Sequence, residues 1–179
     1  MANLFAGNWA IDAAHSRVGF VVRHAGISKV RGIFEQFDAQ LNVADNISDS
    51  TVDATVQIAS INTENEARDG HLKSADFFDA ENHPTMTFKS TSFEIDGEDI
   101  TVAGDLTIHG ETRPVTLTGE FGGVAVDAFG ATRTGASVST TISRKEFGIT
   151  WNAAVETGGV MVSDKVLIEL DLEFTAPEA

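Results

Sequence analysis

Histidine is the side chain best placed to move a proton or hold a metal near neutral pH, and this chain has five: His15, His24, His71, His83 and His109. Cysteine is absent, which excludes thiol nucleophiles, zinc-thiolate centres and iron–sulfur clusters. Asp12, His15 and Ser16 supply the residue types of a nucleophilic triad within five positions. A triad is a matter of geometry, however, and a strand–turn–strand with Asp12 and Ser16 bonded to backbone amides accounts for the same residues. His71 and His83 flank Asp76, Asp79 and Glu81; that spacing matches no ligand pattern, so no metal site is expected. GxSxG, GxGxxG, Walker and HExxH sequences are all missing. The nearest approach to a nucleophile elbow, Gly135-Ala136-Ser137-Val138-Ser139, lacks the second glycine and lies in a strand pattern. Arg144 falls where an inward register would continue beyond Ile142. At a barrel rim its fork suits a phosphate or quinone oxygen, or one of the many carboxylates.

The elements that would carry these residues are mostly strands. Val18, Phe20 and Val22 alternate with polar or outward positions, as do Phe37, Ala39, Leu41 and Val43, and Val52, Ala54, Val56 and Ile58. Further sets are Val102, Leu106 and Ile108; Val115 and Leu117, with Phe121 beyond; Ala136, Val138 and Ile142; and Val166, Ile168, Leu170, Leu172 and Phe174. Such strands bury one face and wet the other, the antiparallel habit. Asp96-Gly97 suits a tight hairpin, His109 to Pro114 a longer one, and Gly122-Gly123 and Gly158-Gly159 read as breaks. About eight strands at even spacing point to a sandwich or barrel. The exception is Arg68 to Thr91, RDGHLKSADFFDAENHPTMTFKST, where a helical start meets Phe77 and Phe78. Thr63-x-x-Glu66 has the capping-box pattern, Ala67, Leu72 and Ala75 could face inward, and Pro84 bars continuation of the helix.

Twelve Phe and no Tyr make the inward sets a source of area without hydroxyls that need partners. A small barrel either fills with side chains or holds one ligand. Each buried CH₂ contributes about 0.8 kcal/mol, so some fifteen give roughly 12 kcal/mol gross. Association costs of ~4–15 kcal/mol then favour long hydrocarbon chains over small fragments.

The 179 residues fit one domain, 1–179. With 27 acidic against 12 basic residues the net charge is −15, which repels nucleic acid and offers nothing to anionic membranes. The start, MANLFAGNWAID, lacks a basic region and an apolar run, and no stretch is long enough to span a bilayer, so a cytoplasmic protein without stable membrane insertion is expected. An open barrel mouth would suit burial against a second copy, although no register marks such a homodimer interface.

Several segments together resemble the YceI-like family of polyisoprenoid-binding, lipocalin-like proteins. They are Trp9-Ala10-Ile11-Asp12 with His15-Ser16 and Val18-x-Phe20; Gly32-x-Phe34-x-x-Phe37; HLKSADFFD and HPTMTFKST within Arg68–Thr91; Leu106-Thr107-Ile108-His109-Gly110 with Thr112-Arg113-Pro114-Val115; and Arg144-x-x-Phe147-Gly148-Ile149-x-Trp151. The resemblance implies an all-β, antiparallel eight-stranded lipocalin-like barrel with a short helical segment at its mouth. It also implies a tunnel for a long isoprenoid, such as a polyprenyl diphosphate or isoprenoid quinone, and no metal, cofactor or established reaction. Many members look exported. Phe129 stands where the family often has tryptophan before glycine, and Ala136 where a bulkier residue is common; both are expected to alter the pocket. Alternation and resemblance together place Phe20, Val22, Phe37, Leu41, Val56, Ile58, Phe88, Leu106, Ile108, Val138, Ile142, Ile168 and Leu170 on the inner wall. Phe77, Phe78, Phe147 and Trp151 are expected at the mouth or on the ligand. The alternatives are an enzyme acting on a lipid or quinone, with Asp12, His15 or His71 as acid or base, and a ligand-free structural protein with a filled core.

Overall fold

The computed structural model describes residues 3–178; Met1, Ala2 and Ala179 lie outside them. Eleven strands run β1 Gly7–Ile11, β2 Arg17–His24, β3 Ser28–Phe34, β4 Phe37–Val43, β5 Thr51–Gln57, β6 Ile61–Asn62, β7 Thr85–Asp96, β8 Asp99–Ile108, β9 Glu111–Val126, β10 Thr132–Ser143 and β11 Lys165–Thr175, with helix α1 at Glu66–Lys73 between β6 and β7. Every pairing is antiparallel, in the order β1-β4-β5-β7-β8-β9-β10-β11, and β1 pairs back onto β11 through Ala10–Thr175 and Ile11–Phe174. That ring of eight closes the barrel.

Three of the eight walls are strands bent in two. β11 pairs with β1 at its C-terminal end and with β2 further along, so β1 and β2 are halves of one strand kinked at the 3-10 turn Ala13–His15. β3 and β4 divide at Glu35-Gln36, and β5 and β6 at the turn Ile58–Ser60. β2 and β3 are joined by the hairpin at 25–27, and β6 leads into α1, whose Arg68, His71 and Leu72 face the cavity at that end of the barrel. No helix among the described residues is long and apolar enough to cross a membrane.

The helix is capped by Asn65, whose side chain accepts from the Arg68 amide at 2.9 Å, and not by the expected Thr63–Glu66 box. Thr63 instead bonds the Asp69 carboxylate through its amide and hydroxyl. Ala67 and Ala75 face solvent, and the inward stripe is Arg68, His71 and Leu72. The hairpin after β8 is tight, not long: His109 and Gly110 both take positive φ (56° and 76°), the two-residue geometry that matches strand twist. Gly122-Gly123 breaks nothing. It sits inside β9 opposite a register shift between Thr134 and Ala136, where Thr134 donates to the Gly123 carbonyl at 2.8 Å.

Apolar side chains fall into two clusters. One, at the helix end, gathers around Phe34, Ile58, Phe77, Met86 and Phe147; the other, at the far end, gathers around Trp9, Leu41, Phe93 and Phe174. Trp9 is wholly buried there and donates its indole N–H to the Phe5 carbonyl. Phe88 packs against both clusters, which places it midway along the barrel.

Candidate functional site: an apolar cavity under an aromatic cap

Between these clusters runs a cavity of about 430 Å³. Its size falls within the range of sites that hold a small ligand. Strand alternation turns one face of each wall inward. Phe20 and Val22 come from β2, Phe37 and Leu41 from β4, Val56 from β5, Phe88 from β7 and Leu106 and Ile108 from β8. Val138 and Ile142 come from β10, and Ile168 and Leu170 from β11. Phe77, Phe78 and Trp151 line the helix end. Two expected positions are elsewhere: Ile58 and Phe147 are buried in the surrounding core and do not line the cavity. Ile58 lies on a 3-10 turn, where the two-residue period that would have turned it inward no longer applies, and Phe147, expected at the mouth, lies on another and packs into the core.

Other lining residues were not among the expected contacts. Val18, Ala54, Val115, Leu117 and Phe121 belong to the alternating sets of the sequence, and Met86 shares the alternation of Phe88. Val30 and Phe34 share one face of β3, whereas Arg68 and His71 could not be read from alternation, because the helix alone brings them to the cavity. Ala136 lines the cavity as expected, whereas Phe129 does not: it is 97% exposed on the turn between β9 and β10 and cannot alter the pocket.

The cap is aromatic. Phe77, His71 and Trp151 form a triangle with ring centroids 4.8–5.2 Å apart, and Phe78 meets Phe34 edge-on at 5.9 Å, with Phe20 beyond at 5.7 Å. His71 Nε2 lies 2.9 Å from an Asp76 carboxylate oxygen. The cationic and imidazole groups on the cavity wall are Arg23, His24, Arg68, His71 and Arg144, all gathered at this end. The barrel thus has an apolar length and one nitrogen-rich mouth.

Arg144 makes no ion pair with a carboxylate among the described residues. It is 5% exposed and donates to the carbonyls of Ser163, Ile149, Trp151 and Val162 at 2.9–3.2 Å, which ties the segment 148–164 across the mouth. Burial pushes its guanidinium below the usual value. The nearby Asp164 carboxylate is taken by the Ser143 hydroxyl and the Lys145 amide.

Asp12, His15 and Ser16 make a turn and not a triad. Asp12 accepts from the Ala14 amide at 3.0 Å, and the Ser16 hydroxyl accepts from the Glu173 amide at 2.9 Å. Arg133 donates to Asp12 at 2.6 Å, Asp127 at 2.6 Å and Glu173 at 2.8 Å. Arg133 and His15 hold the Asp12 carboxyl down at about 2.

Two sets of side chains among the described residues bring metal-ligating atoms within 4.8 Å of one another: Asp79, His83 and His109, and Asp12, His15 and Glu173. The second already has Arg133 as its cation. In the first, Asp79 accepts from Asn82 and His109 Nδ1 faces the Phe147 carbonyl at 3.2 Å. His71, a neighbour of His83 in sequence, belongs to neither.

A closed, eight-stranded antiparallel β-barrel around an apolar hollow, with one short helix at one end, is the class of fold the chain adopts. The chain belongs to the YceI-like domain family, whose model matches residues 9–174. It is 44% identical to the UPF0312 protein SA2479 of Staphylococcus aureus (strain N315) over 175 residues, covering 96% of this chain and 99% of the relative. Among solved structures, the Campylobacter jejuni YCEI protein that crystallizes with large solvent channels is 34% identical, with a TM-score of 0.74 over 99% of this chain and 100% of that one. A polyisoprenoid binding domain from Saccharophagus degradans, implicated in plant cell wall breakdown, shares the fold at 15% identity, with a TM-score of 0.73 over 94% of this chain and 98% of that one.

Proposed function

We propose that this protein binds a long-chain isoprenoid lipid, a polyprenyl diphosphate or an isoprenoid quinone, and carries or sequesters it in the barrel. The observation that carries the reading is the cavity itself: about 430 Å³, walled by Phe, Val, Ile and Leu along its length. A hydrocarbon chain is the ligand such a wall recognises, because burial of apolar area needs no polar anchor. The nitrogen-rich mouth gives a polar head group its place beside Arg68 and His71. A structural neighbour described as a polyisoprenoid binding domain supports the same class of ligand. Phe20, Val22, Phe37, Leu41, Val56, Phe88, Leu106, Ile108, Val138, Ile142, Ile168 and Leu170 are the proposed chain contacts, with Phe77, Phe78 and Trp151 nearest the head group. Ile58 and Phe147 support the wall from behind.

Binding, not catalysis, is the reading the wall favours. Four of the five N–H groups of Arg144 donate to backbone carbonyls, and the Asp12–His15–Ser16 turn has no part in the cavity. The test is solvent extraction of protein purified from its native host, followed by mass spectrometry. A polyprenyl species near one per protein is expected; repeated extracts holding no long apolar molecule would overturn the reading.

A further inference from the structure

We infer that the hairpin of β2 and β3, beside the mouth, is a docking surface for an anionic lipid bilayer. The inference rests on the isoprenoid-carrier reading, since cargo of that kind is drawn from membranes. The overall charge of −15 argues against any such contact, but the charge is not evenly spread. From Ala13 to Phe34 there is no Asp or Glu, while Arg17, Arg23, Lys29 and Arg31 fall within that stretch.

The register brings three of these cations together. Arg23 lies directly opposite Lys29, and Arg31 opposite Val21, so all three stand on one face of the hairpin and are exposed, Arg23 reaching the rim of the cavity as well. None of the three has a carboxylate within 4.0 Å among the described residues. Like charges opposed across a strand pair are destabilising, so the fold gains nothing from placing Arg23 against Lys29. A partner carrying negative charge accounts for the placement.

The hairpin tip adds an apolar element. Ala25 and Gly26 take positive φ (51° and 71°), which throws the next residue outward, and Ile27 is 83% exposed. Beside it stands Val160, 51% exposed, in the segment held to the hairpin by the Ala25 amide donating to the Met161 carbonyl at 2.8 Å. A protruding aliphatic tip ringed by unpaired cations is the chemistry of an interfacial anchor, in which the apolar group enters the acyl boundary and the cations meet head groups.

Position and field complete the case. Val22 and Val30 of this hairpin, and Met161 beside it, also line the cavity, so a chain leaving the bilayer at the tip meets an apolar wall at once. The acidic remainder of the surface repels an anionic membrane, which leaves one favourable orientation, with the mouth facing the lipid. At the opposite end Phe129 is 97% exposed, but the nearby Arg133 is consumed by Asp12, Asp127 and Glu173. That end provides the control.

The experiment is flotation of the full chain with vesicles of phosphatidylcholine alone and of phosphatidylcholine with phosphatidylglycerol, at low and high salt. Salt-sensitive binding to the anionic vesicles is expected, weakened about tenfold or more in Arg23→Glu/Lys29→Glu and in Ile27→Glu. Phe129→Glu should leave it unchanged, and thermal unfolding verifies that each variant is folded. No binding to anionic vesicles, or equal loss with Phe129→Glu, overturns the inference. So does a dimer in size-exclusion chromatography that Arg23→Glu/Lys29→Glu dissociates, because the face would then be covered by a second copy. Lipid extraction of the same samples separates the two readings. Cargo without vesicle binding overturns docking alone; vesicle binding through the hairpin without cargo leaves docking standing and removes the carrier.

Discussion

The ring of Phe20 lies flat over Gly32, its direct cross-strand partner: a Cβ at position 32 would come within 2.3 Å of Phe20 Cζ. Phe88 makes a similar contact with Gly104, its diagonal neighbour across β7 and β8, at 2.4 Å. Large rings on an inner wall would ordinarily meet in the middle and fill a small barrel. Here two glycines give the rings a place against the wall, and the hollow between them survives.

Gly32→Ala is therefore expected to swing the Phe20 ring into the cavity. The ring is the far end of a side chain, so the stability loss should stay near ~1–3 kcal/mol. Lipid recovered per protein should fall severalfold, and Phe20→Ala in the same chain should restore it. If Gly32→Ala retains a full complement of lipid while folded, the rings are not what holds the hollow open.

Arg144 is the residue whose loss should most damage the mouth. Arg144→Met keeps an apolar stem but leaves the carbonyls of Ile149, Trp151, Val162 and Ser163 without their donor. Each unmet buried polar group costs about 1–3 kcal/mol, so a total above ~3 kcal/mol is expected by urea unfolding. Limited proteolysis should cut first within 150–163.

Acid stability should depend on Arg133. The Asp12 carboxyl, held at about 2 by Arg133 and then by His15, is charged in the fold and would protonate near 3.9 when unfolded. A depressed folded pKa gives stability that is present above about pH 4 and is lost as the pH falls through about 2. Asp127, also lowered by Arg133, adds in the same direction. Asp12 raises His15, and that contribution has the opposite sign: it is complete below about 6.5 and fades as the pH rises. Arg133→Gln should flatten the acid limb of a stability-versus-pH curve and return the Asp12 carboxyl resonance toward ordinary titration. An unchanged acid limb would show that the network does not couple to folding.

Much of this was legible in the chain because alternation is rigid. Once Phe20 faces inward, Val18 and Val22 must follow, and the same logic carried β4, β8, β10 and β11. The pattern failed where the period changes. Ile58 sits on a 3-10 turn and rotates away from the wall, and Phe147, expected at the mouth, packs into the core from another. Gly122-Gly123 looked like a break because a bulge and a turn use the same residue. Contacts between distant segments leave no local trace: nothing near Arg144 announces carbonyls up to 19 residues downstream, and nothing near His83 announces His109. Net charge has a related blind spot, since a sum over the chain hides a basic hairpin on an acidic body.

Phe88 separates a container from a filled core most directly. It lies midway along the barrel, packs on both apolar clusters and rests on Gly104. In a filled interior Phe88→Trp would have no space to enter and would cost ~1–3 kcal/mol by overpacking. In this barrel the larger ring can extend into the adjoining hollow, so stability should change by less than about 1 kcal/mol. The added ring occupies volume that the lipid chain would otherwise fill. Long-chain uptake should therefore weaken while a shorter isoprenoid is still accepted. Binding titrations with a series of prenyl alcohols of increasing length, alongside thermal melts, read both quantities on one sample. A large loss of stability would mean that the hollow at Phe88 is closed in solution, and equal uptake at every length would mean that the chain does not pass this residue.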